Sequence, residues 1–160
     1  MNMKNIIKTI MYLQMTALFV TAALAGPGAT EKQVPFRGSV QALETYVIDF
    51  PTRYVDTSGS GNATHLGWFA VTWEHTVNLP TREGIGSAQF IAANGDAVFS
   101  VSASQAFPTE TPNIVRVVER HTITGGTGRF AGASGSFTLE RLVSPVTGLT
   151  SGWFYGTISY

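Results

Sequence analysis

The sequence predicts an all-β fold: a single antiparallel barrel of about eight strands, closed or nearly closed. Three observations lead to this prediction. Apolar and polar residues alternate with a period of two in several segments, as they do along strands with one covered face. Only 12% of the residues are charged, and Gly, Ser, Thr and Val are abundant, which is typical of β-proteins. The chain contains no cysteine, so the domain must be held together by its core and its hydrogen-bonded sheet, which favours a closed barrel without exposed edges; a sandwich of two sheets is the main competitor.

Residues 1–25 are predicted to be a signal peptide that precedes the barrel as a helix. Lys4 and Lys8 give it a positive start, a mostly apolar run follows, and Ala23 and Ala25 match the small-x-small pattern of a cleavage site. The apolar run is shorter than the roughly 20 residues that a spanning helix needs. We therefore expect cleavage after Ala25, a secreted or periplasmic protein, and no stable membrane insertion of the mature chain.

The remainder is predicted to consist of a flexible leader, residues 26–33, and one barrel domain, residues 34–160. Once residues 1–25 are removed, eight basic and ten acidic residues remain. This balance provides neither the basic patch of a nucleic-acid-binding protein nor a polybasic motif for an anionic membrane surface. Nucleic acid is therefore not an expected partner, and the sequence leaves the oligomeric state open.

The first part of the domain is predicted to contain two short strands and a long loop. The strands cover residues 36–42 and 45–50. The loop covers residues 52–63, because Gly and Ser are frequent there. Asn62 and Thr64 belong to an Asn-x-Thr pattern, which is a glycosylation acceptor only in a eukaryotic secretory pathway.

The clearest strand covers residues 65–79. Its odd positions 69, 71, 73, 77 and 79 are large and apolar, whereas its even positions from Thr72 onward are polar. His75 lies on the apolar side, and so does His65 near the start. The apolar residues of this face that we expect to line the interior are Phe69, Val71 and Trp73.

Residues 84–92 and 97–107 are predicted to pair as a hairpin. Asn94 and Gly95 lie between them and favour a tight type I′ turn with positive φ at both positions. In the second arm Phe99 and Val101 alternate with serines, so we expect the two apolar residues to face the interior and the serines to face water.

The last part of the domain contains three further predicted strands, residues 114–123, 136–143 and 152–160. In the first of these, one face carries Glu119 and His121 and the other carries Arg116 and Arg120 beside apolar residues. The alternation therefore leaves open which face is interior. In the second, Arg141 alternates in phase with apolar residues.

The stretch from residue 125 to residue 135 reads GGTGRFAGASG, and five of its eleven residues are glycine. Glycines cluster where the backbone takes positive φ or where two chains approach closely, so this stretch predicts a sharp corner between strands with Phe130 packed under it. The glycines of the predicted corner are Gly125, Gly126, Gly128, Gly132 and Gly135. Their spacing does not match a phosphate-binding loop.

This stretch resembles the glycine-rich signature of the allene oxide cyclase and dirigent barrels, most closely that of the uncharacterised bacterial secreted members. GNATHLGWFAVTWEHTVNLPT, AANGDAVFS and SGWFYGTIS extend the resemblance more weakly over most of the chain after Val34. The resemblance implies an allene oxide cyclase-like or calycin-like barrel with a hydrophobic cavity. The matching motif is the structural corner, so no catalytic position of those families is carried over.

The candidate site consists of polar residues on faces that otherwise look buried: His75, Glu119, His121 and Arg141. A charge on such a face must be paired or solvated. One interpretation is a Glu119–Arg141 ion pair with hydrogen-bonded histidines. The other is a cavity in which these groups orient a small apolar ligand, with walls of Phe69, Val71, Trp73, Phe99 and Val101. The three histidines lack the spacing of a metal site, and no cofactor is expected.

Three functions remain open. The leading hypothesis is a barrel that binds a small apolar molecule in its interior without catalysis, which would need a pocket of about 300 Å³ or more. The second is a cyclase or isomerase, with a carboxylate from Glu119 and an anion-stabilising group from Arg141 or His75. The third is a structural or surface-interaction domain with a filled barrel and an exposed aromatic patch near Trp153, Phe154 and Tyr155.

Overall fold

The computed structural model of the chain describes residues 32–160, which form a closed antiparallel barrel of eight strands. The predicted signal peptide and most of the predicted leader lie outside these residues. No helix in the described part of the chain is long and apolar enough to cross a membrane. The strands are β1 (Val34–Asp49), β2 (Thr52–Ala63), β3 (Gly67–Asn78), β4 (Glu83–Ala92), β5 (Ala97–Pro108), β6 (Val115–Gly126), β7 (Ser134–Val143) and β8 (Leu149–Ser159).

Each strand pairs with the next one along the chain, and β8 pairs with β1 to close the barrel. Every pair is antiparallel, so the connections are short turns and alternate side chains point inward. The closed antiparallel barrel predicted from the two-residue periodicity is confirmed. On β6 the interior face, which the sequence left open, is the one that carries Val117, Glu119 and His121.

The first strands differ from the prediction. Residues 36–42 and 45–50 belong almost entirely to one long strand, β1, and the predicted loop 52–63 is the strand β2. The glycines that indicated a loop instead allow close packing within the barrel. A Cβ on Gly61 would lie 2.0 Å from the Ser39 carbonyl oxygen and 2.5 Å from the Phe69 ring. His65, predicted on β3, lies in the turn before it with a φ of 67°.

The β4–β5 hairpin forms at the predicted position with a different turn. The Ala92 amide donates to the Asp96 carbonyl, and Gly95 has a φ of 89°, whereas Asn94 does not have positive φ. The turn is therefore a three-residue loop that ends in a left-handed glycine, not a type I′ turn.

The faces of β5 are the reverse of the prediction. Ser100 and Ser102 are buried in the interior, whereas Val101 is 50% exposed and Phe99 lies on the outer face opposite the exposed Gln89. The register between β5 and β6 shifts between Phe99 and Ser100, which marks a bulge. The serines face inward because they hydrogen-bond to buried histidines, as described below.

One half of the interior is packed with aromatic rings. Phe36, Phe69, Phe90, Phe137 and Phe154 are all buried there, with neighbouring ring centroids 5.0–6.2 Å apart. The glycine stretch closes this end. A short 3₁₀ turn, Gly128–Phe130, places the fully buried Phe130 against the Tyr160 ring at 4.9 Å. Gly128 has a φ of 57°, and a Cβ there would clash with Asp96 at 1.7 Å, so this position requires glycine.

Candidate functional site

The other half of the interior contains a buried cluster of charged and polar side chains. The antiparallel arrangement brings the end of β1, β3, β5 and β7 to the same level as the start of β2, β4, β6 and β8. The buried polar residues at this level and just below it are Glu44, Thr57, His75, Ser100, Ser102, Glu119, His121, Arg141 and Thr150. We call this set the polar cluster, and the barrel end above it the mouth.

Arg141 joins two carboxylates in the polar cluster. Its Nε donates to Glu119 Oε1 at 2.5 Å, and its Nη1 donates both to a Glu44 carboxylate oxygen and to Thr150 Oγ1. Arg141 and Glu119 lie on neighbouring strands, diagonally rather than directly opposite, since Arg141 pairs with Val117. The predicted Glu119–Arg141 ion pair is present, and Glu44 extends it to a third strand.

Two histidines complete the environment of Glu119. Glu119 Oε2 lies 3.2 Å from Nε2 of His75 and 3.2 Å from Nε2 of His121. An ionised carboxylate only accepts hydrogen bonds, so Nε2 of His121, which is hydrogen-bonded to it, carries the proton. Ser100 Oγ then donates to His121 Nδ1 at 3.0 Å, and Ser102 Oγ lies 3.2 Å from His75 Nε2.

The ionisation of Glu119 and Arg141 is set by two opposing effects, burial and the attraction of their neighbours. Burial by itself would raise the pKa of Glu119, but Arg141 and the hydrogen bonds from His121 and His75 outweigh it and hold that pKa well below its ordinary value. Burial would likewise lower the pKa of Arg141, but Glu119 and Glu44 raise it above its ordinary value. Both groups are therefore charged at neutral pH.

A cavity of about 80 Å³ lies above the polar cluster in the mouth. Valine side chains from four strands form much of its wall, and His75, Glu44 and Arg141 reach it from below. Arg53 and Arg82 also line it. The cavity is smaller than the roughly 300 Å³ expected for a ligand held entirely inside the barrel. The valines are Val55, Val77, Val115, Val117 and Val143.

Buried polar atoms without a partner are concentrated on one side of the barrel. Among the described residues, four buried side-chain polar atoms have no hydrogen-bond partner within the chain: Arg53 Nε, Thr57 Oγ1, Trp73 Nε1 and His75 Nδ1. All four belong to β2 or β3, which are adjacent, and Thr57 lies directly opposite Trp73. Unpaired buried polar atoms are costly, so four on one wall need a physical explanation.

The structure brings most of the predicted site residues together. His75, Glu119, His121 and Arg141 form the centre of the polar cluster, and the Arg141 guanidinium lies 5.6 Å from the Trp73 ring. Phe69 and Val71 are buried deeper, toward the aromatic half. Phe99 and Val101 do not line the interior, and this part of the prediction is wrong.

Sequence reasoning missed five members of the polar cluster: Glu44, Thr57, Ser100, Ser102 and Thr150. A signal existed for Glu44, because it continues the alternation of Val40 and Ala42, both of which are buried. A signal for the two serines was that they lie at alternate positions from Val98, on the same face of the strand, and Val98 is a large apolar residue that is fully buried. His65, by contrast, lies at the opposite end of the barrel, where its Nδ1 accepts from the Tyr160 hydroxyl at 3.0 Å.

The closed eight-stranded barrel has a dirigent-like fold, as comparison with a solved structure shows. The solved structure of the pterocarpan synthase dirigent protein GePTS1 is similar, with a TM-score of 0.61. The two share 11% sequence identity over 90% of this chain and 99% of that chain, so the likeness shows the fold alone. No family model matches the sequence, and no curated protein matches it.

Proposed function

We propose that the barrel binds a small molecule at its mouth without turning it over. The observation that carries the proposal is the set of four unpaired polar atoms on β2 and β3. Two of these atoms, Arg53 Nε and His75 Nδ1, belong to residues that line the mouth. A ligand with hydrogen-bonding groups at one end and an apolar body would satisfy these two atoms and cover the valines of the mouth.

The size and charge of the mouth narrow the class of ligand. A cavity of about 80 Å³ admits only one end of a molecule, and the phenylalanines below leave no room for deeper entry. Three arginines and one glutamate line the cavity, so a neutral or anionic polar end fits better than a cationic one. The ligand class is therefore a small, mostly apolar molecule that carries an alcohol, carbonyl or carboxylate at one end.

The environment of Glu119 favours binding over catalysis. A general acid or base must reach the proton that it transfers. Glu119 is completely buried, and both of its oxygens are already engaged by Arg141, His75 and His121. A carboxylate held in this way stabilises the barrel and orients His75, whose Nδ1 remains unpaired beside the mouth.

One observation favours a cyclase or isomerase as a second candidate. His75 reaches the mouth while its Nε2 contacts a carboxylate, and an imidazole oriented in this way can accept a proton at Nδ1. The structural neighbour is by its title a pterocarpan synthase. In such an enzyme, His75→Gln would abolish turnover, whereas in a binder there is no turnover to lose.

We also propose that the mature barrel acts outside the cytoplasm, after cleavage behind Ala25. The basis is the pattern of residues 1–25 alone. N-terminal sequencing of the protein recovered from the medium or periplasm of its host should begin at Gly26.

Native mass spectrometry of the protein purified from its own host tests the binding function. We expect an accompanying small molecule, which Val117→Trp displaces because Val117 lines the mouth. Val118→Trp is the matched control, because Val118 is the next residue on β6 and lies on the outer face. Arg53→Leu provides a second variant if Val117→Trp does not fold.

Indole and hexanoate then serve as small probes in an NMR titration of the ligand-free protein. Probe-induced changes in chemical shift that cluster on β2 and β3, and that are absent in the Val117→Trp variant, support the proposal. If no mass accompanies the protein and neither probe shifts the β2 and β3 resonances, the filled, purely structural barrel is the correct interpretation.

A further inference from the structure

A second concave surface lies on the outside of the barrel, away from the mouth. It is a groove of about 500 Å³ that crosses the outer wall between Trp68 and Trp153. Polar side chains line its floor together with the apolar Leu142: Ser39, Gln41, Ser60, Asn62 and Ser151. Its volume falls within the roughly 300–1,000 Å³ range of ligand sites.

The strand register fixes the dimensions of this groove. Trp153 lies opposite Ser39, Ser39 opposite Asn62, and Asn62 opposite Trp68. The two tryptophans are therefore the ends of one row that crosses four adjacent strands. Three strand spacings place their backbones roughly 14 Å apart. The indoles are 57% and 59% exposed, which leaves both of them accessible to a ligand in the groove.

The chemistry of the lining points to a neutral, polyhydroxylated ligand. The groove is lined by no charged side chain, so it offers no ion-pair partner to an anion or a cation. Its floor presents hydroxyl and amide groups, which both donate and accept hydrogen bonds. Its two ends present aromatic rings with an apolar face and a polar N–H. Pyranose rings have this same dual character, with an apolar C–H face and a rim of hydroxyls.

We propose that this groove binds a neutral oligosaccharide whose sugar rings stack on Trp68 and Trp153. The units between them hydrogen-bond to the serines, Gln41 and Asn62 on the floor. A peptide strand is a poorer fit, because the closed barrel has no free edge to pair with. A second copy of this chain is the alternative occupant of the groove, and the oligomeric state distinguishes it from a sugar.

The test is a binding titration against a panel of neutral hexasaccharides: cellohexaose, xylohexaose, mannohexaose and maltohexaose. Oligogalacturonate serves as the charged comparison. Expression in a bacterial host keeps Asn62, which belongs to an Asn-x-Thr pattern, free of a covalent glycan. Intrinsic fluorescence reports the binding, and Trp73, buried in the interior, is the one tryptophan that the sugar does not reach.

We expect saturable binding of at least one neutral hexasaccharide. Trp68→Ala and Trp153→Ala should each weaken it by roughly tenfold, the loss expected for one aromatic stacking contact. Phe107→Ala is the matched control, because Phe107 is an exposed aromatic residue on β5, four strands away from β1. The affinity of the Phe107→Ala variant for the hexasaccharide should equal that of the wild type. Near-ultraviolet circular dichroism verifies that each variant is folded.

Three results would overturn the proposal: no binding to any neutral member of the panel, binding that is insensitive to both tryptophan substitutions, or binding of the charged oligomer alone. Sedimentation of the wild type and Trp68→Ala distinguishes a further outcome. A dimer that dissociates in Trp68→Ala would assign the groove to a second copy and also reject the sugar. None of these outcomes depends on the mouth, so this proposal can fail while the small-molecule proposal holds.

Discussion

The two halves of the barrel interior differ in chemistry, although the same eight strands line both. At the glycine-rich end, phenylalanine rings fill the space and Phe130 closes it. At the other end, an ion-pair cluster lies under the valines of the mouth, and four polar atoms on the adjacent strands β2 and β3 are unpaired, two of them on residues that line the mouth, Arg53 and His75. Apolar packing requires only matching volumes, whereas the polar half requires each charge to keep its partner. The contribution of the aromatic half to the free energy of unfolding should therefore be independent of pH, and that of the polar half should depend on it.

The largest expected effect is that of Arg141→Met. This substitution leaves Glu119 and Glu44 buried without their cation, and we expect it to cost about 3–5 kcal/mol of unfolding free energy at neutral pH. The loss should become smaller as the pH falls, because protonated carboxyls no longer need a cation. Urea unfolding at several pH values measures both effects. A loss below about 1 kcal/mol, as for an exposed pair, would show that Arg141 is not a buried partner.

Phe90→Leu probes the aromatic half and should have a smaller effect. Phe90 packs against the Phe69, Phe137 and Phe154 rings at 5.5–6.0 Å, so removing part of its volume should cost about 2 kcal/mol. This cost should be the same at neutral and acidic pH. Ile85→Ala is the control, because Ile85 is on the same strand but 65% exposed. A strong pH dependence of the Phe90→Leu cost would mean that the two halves are not independent.

The wild-type response to acid depends on Glu119. Its pKa is depressed in the folded state, so the unfolded chain takes up the proton first as the pH falls. The stabilisation from Glu119 is complete above its unfolded pKa of about 4.3 and is lost as the pH falls through the lower folded value. Glu119→Gln should flatten this part of the stability profile, whereas Glu110→Gln, at an exposed position, should not. Equal profiles for the two variants would exclude Glu119 as the source.

The same contrast explains what the sequence could and could not predict. Period-two alternation identified β3 and the interior residues Trp73, His75 and Arg141, because large side chains there mark the covered face. It failed on β5, where the apolar Val101 faces outward and Ser100 faces inward. The frequency of glycine and serine, which predicted a loop at residues 52–63, failed on β2, where the glycines pack against neighbouring strands. Alternation identifies apolar faces, so it misleads where the interior itself is polar.

Ser100→Ala and Val101→Ser are neighbouring substitutions that test this reversal, with the smallest expected effects. Ser100→Ala removes the donor to His121 Nδ1 and should cost about 1 kcal/mol, because a buried acceptor loses its partner. Val101→Ser should change the unfolding free energy by less than about 0.5 kcal/mol, since Val101 is half exposed on the outer face. Thermal unfolding of both variants measures the difference. If Val101→Ser were the more damaging substitution, β5 would face the other way and the serines could not hold the histidines of the polar cluster.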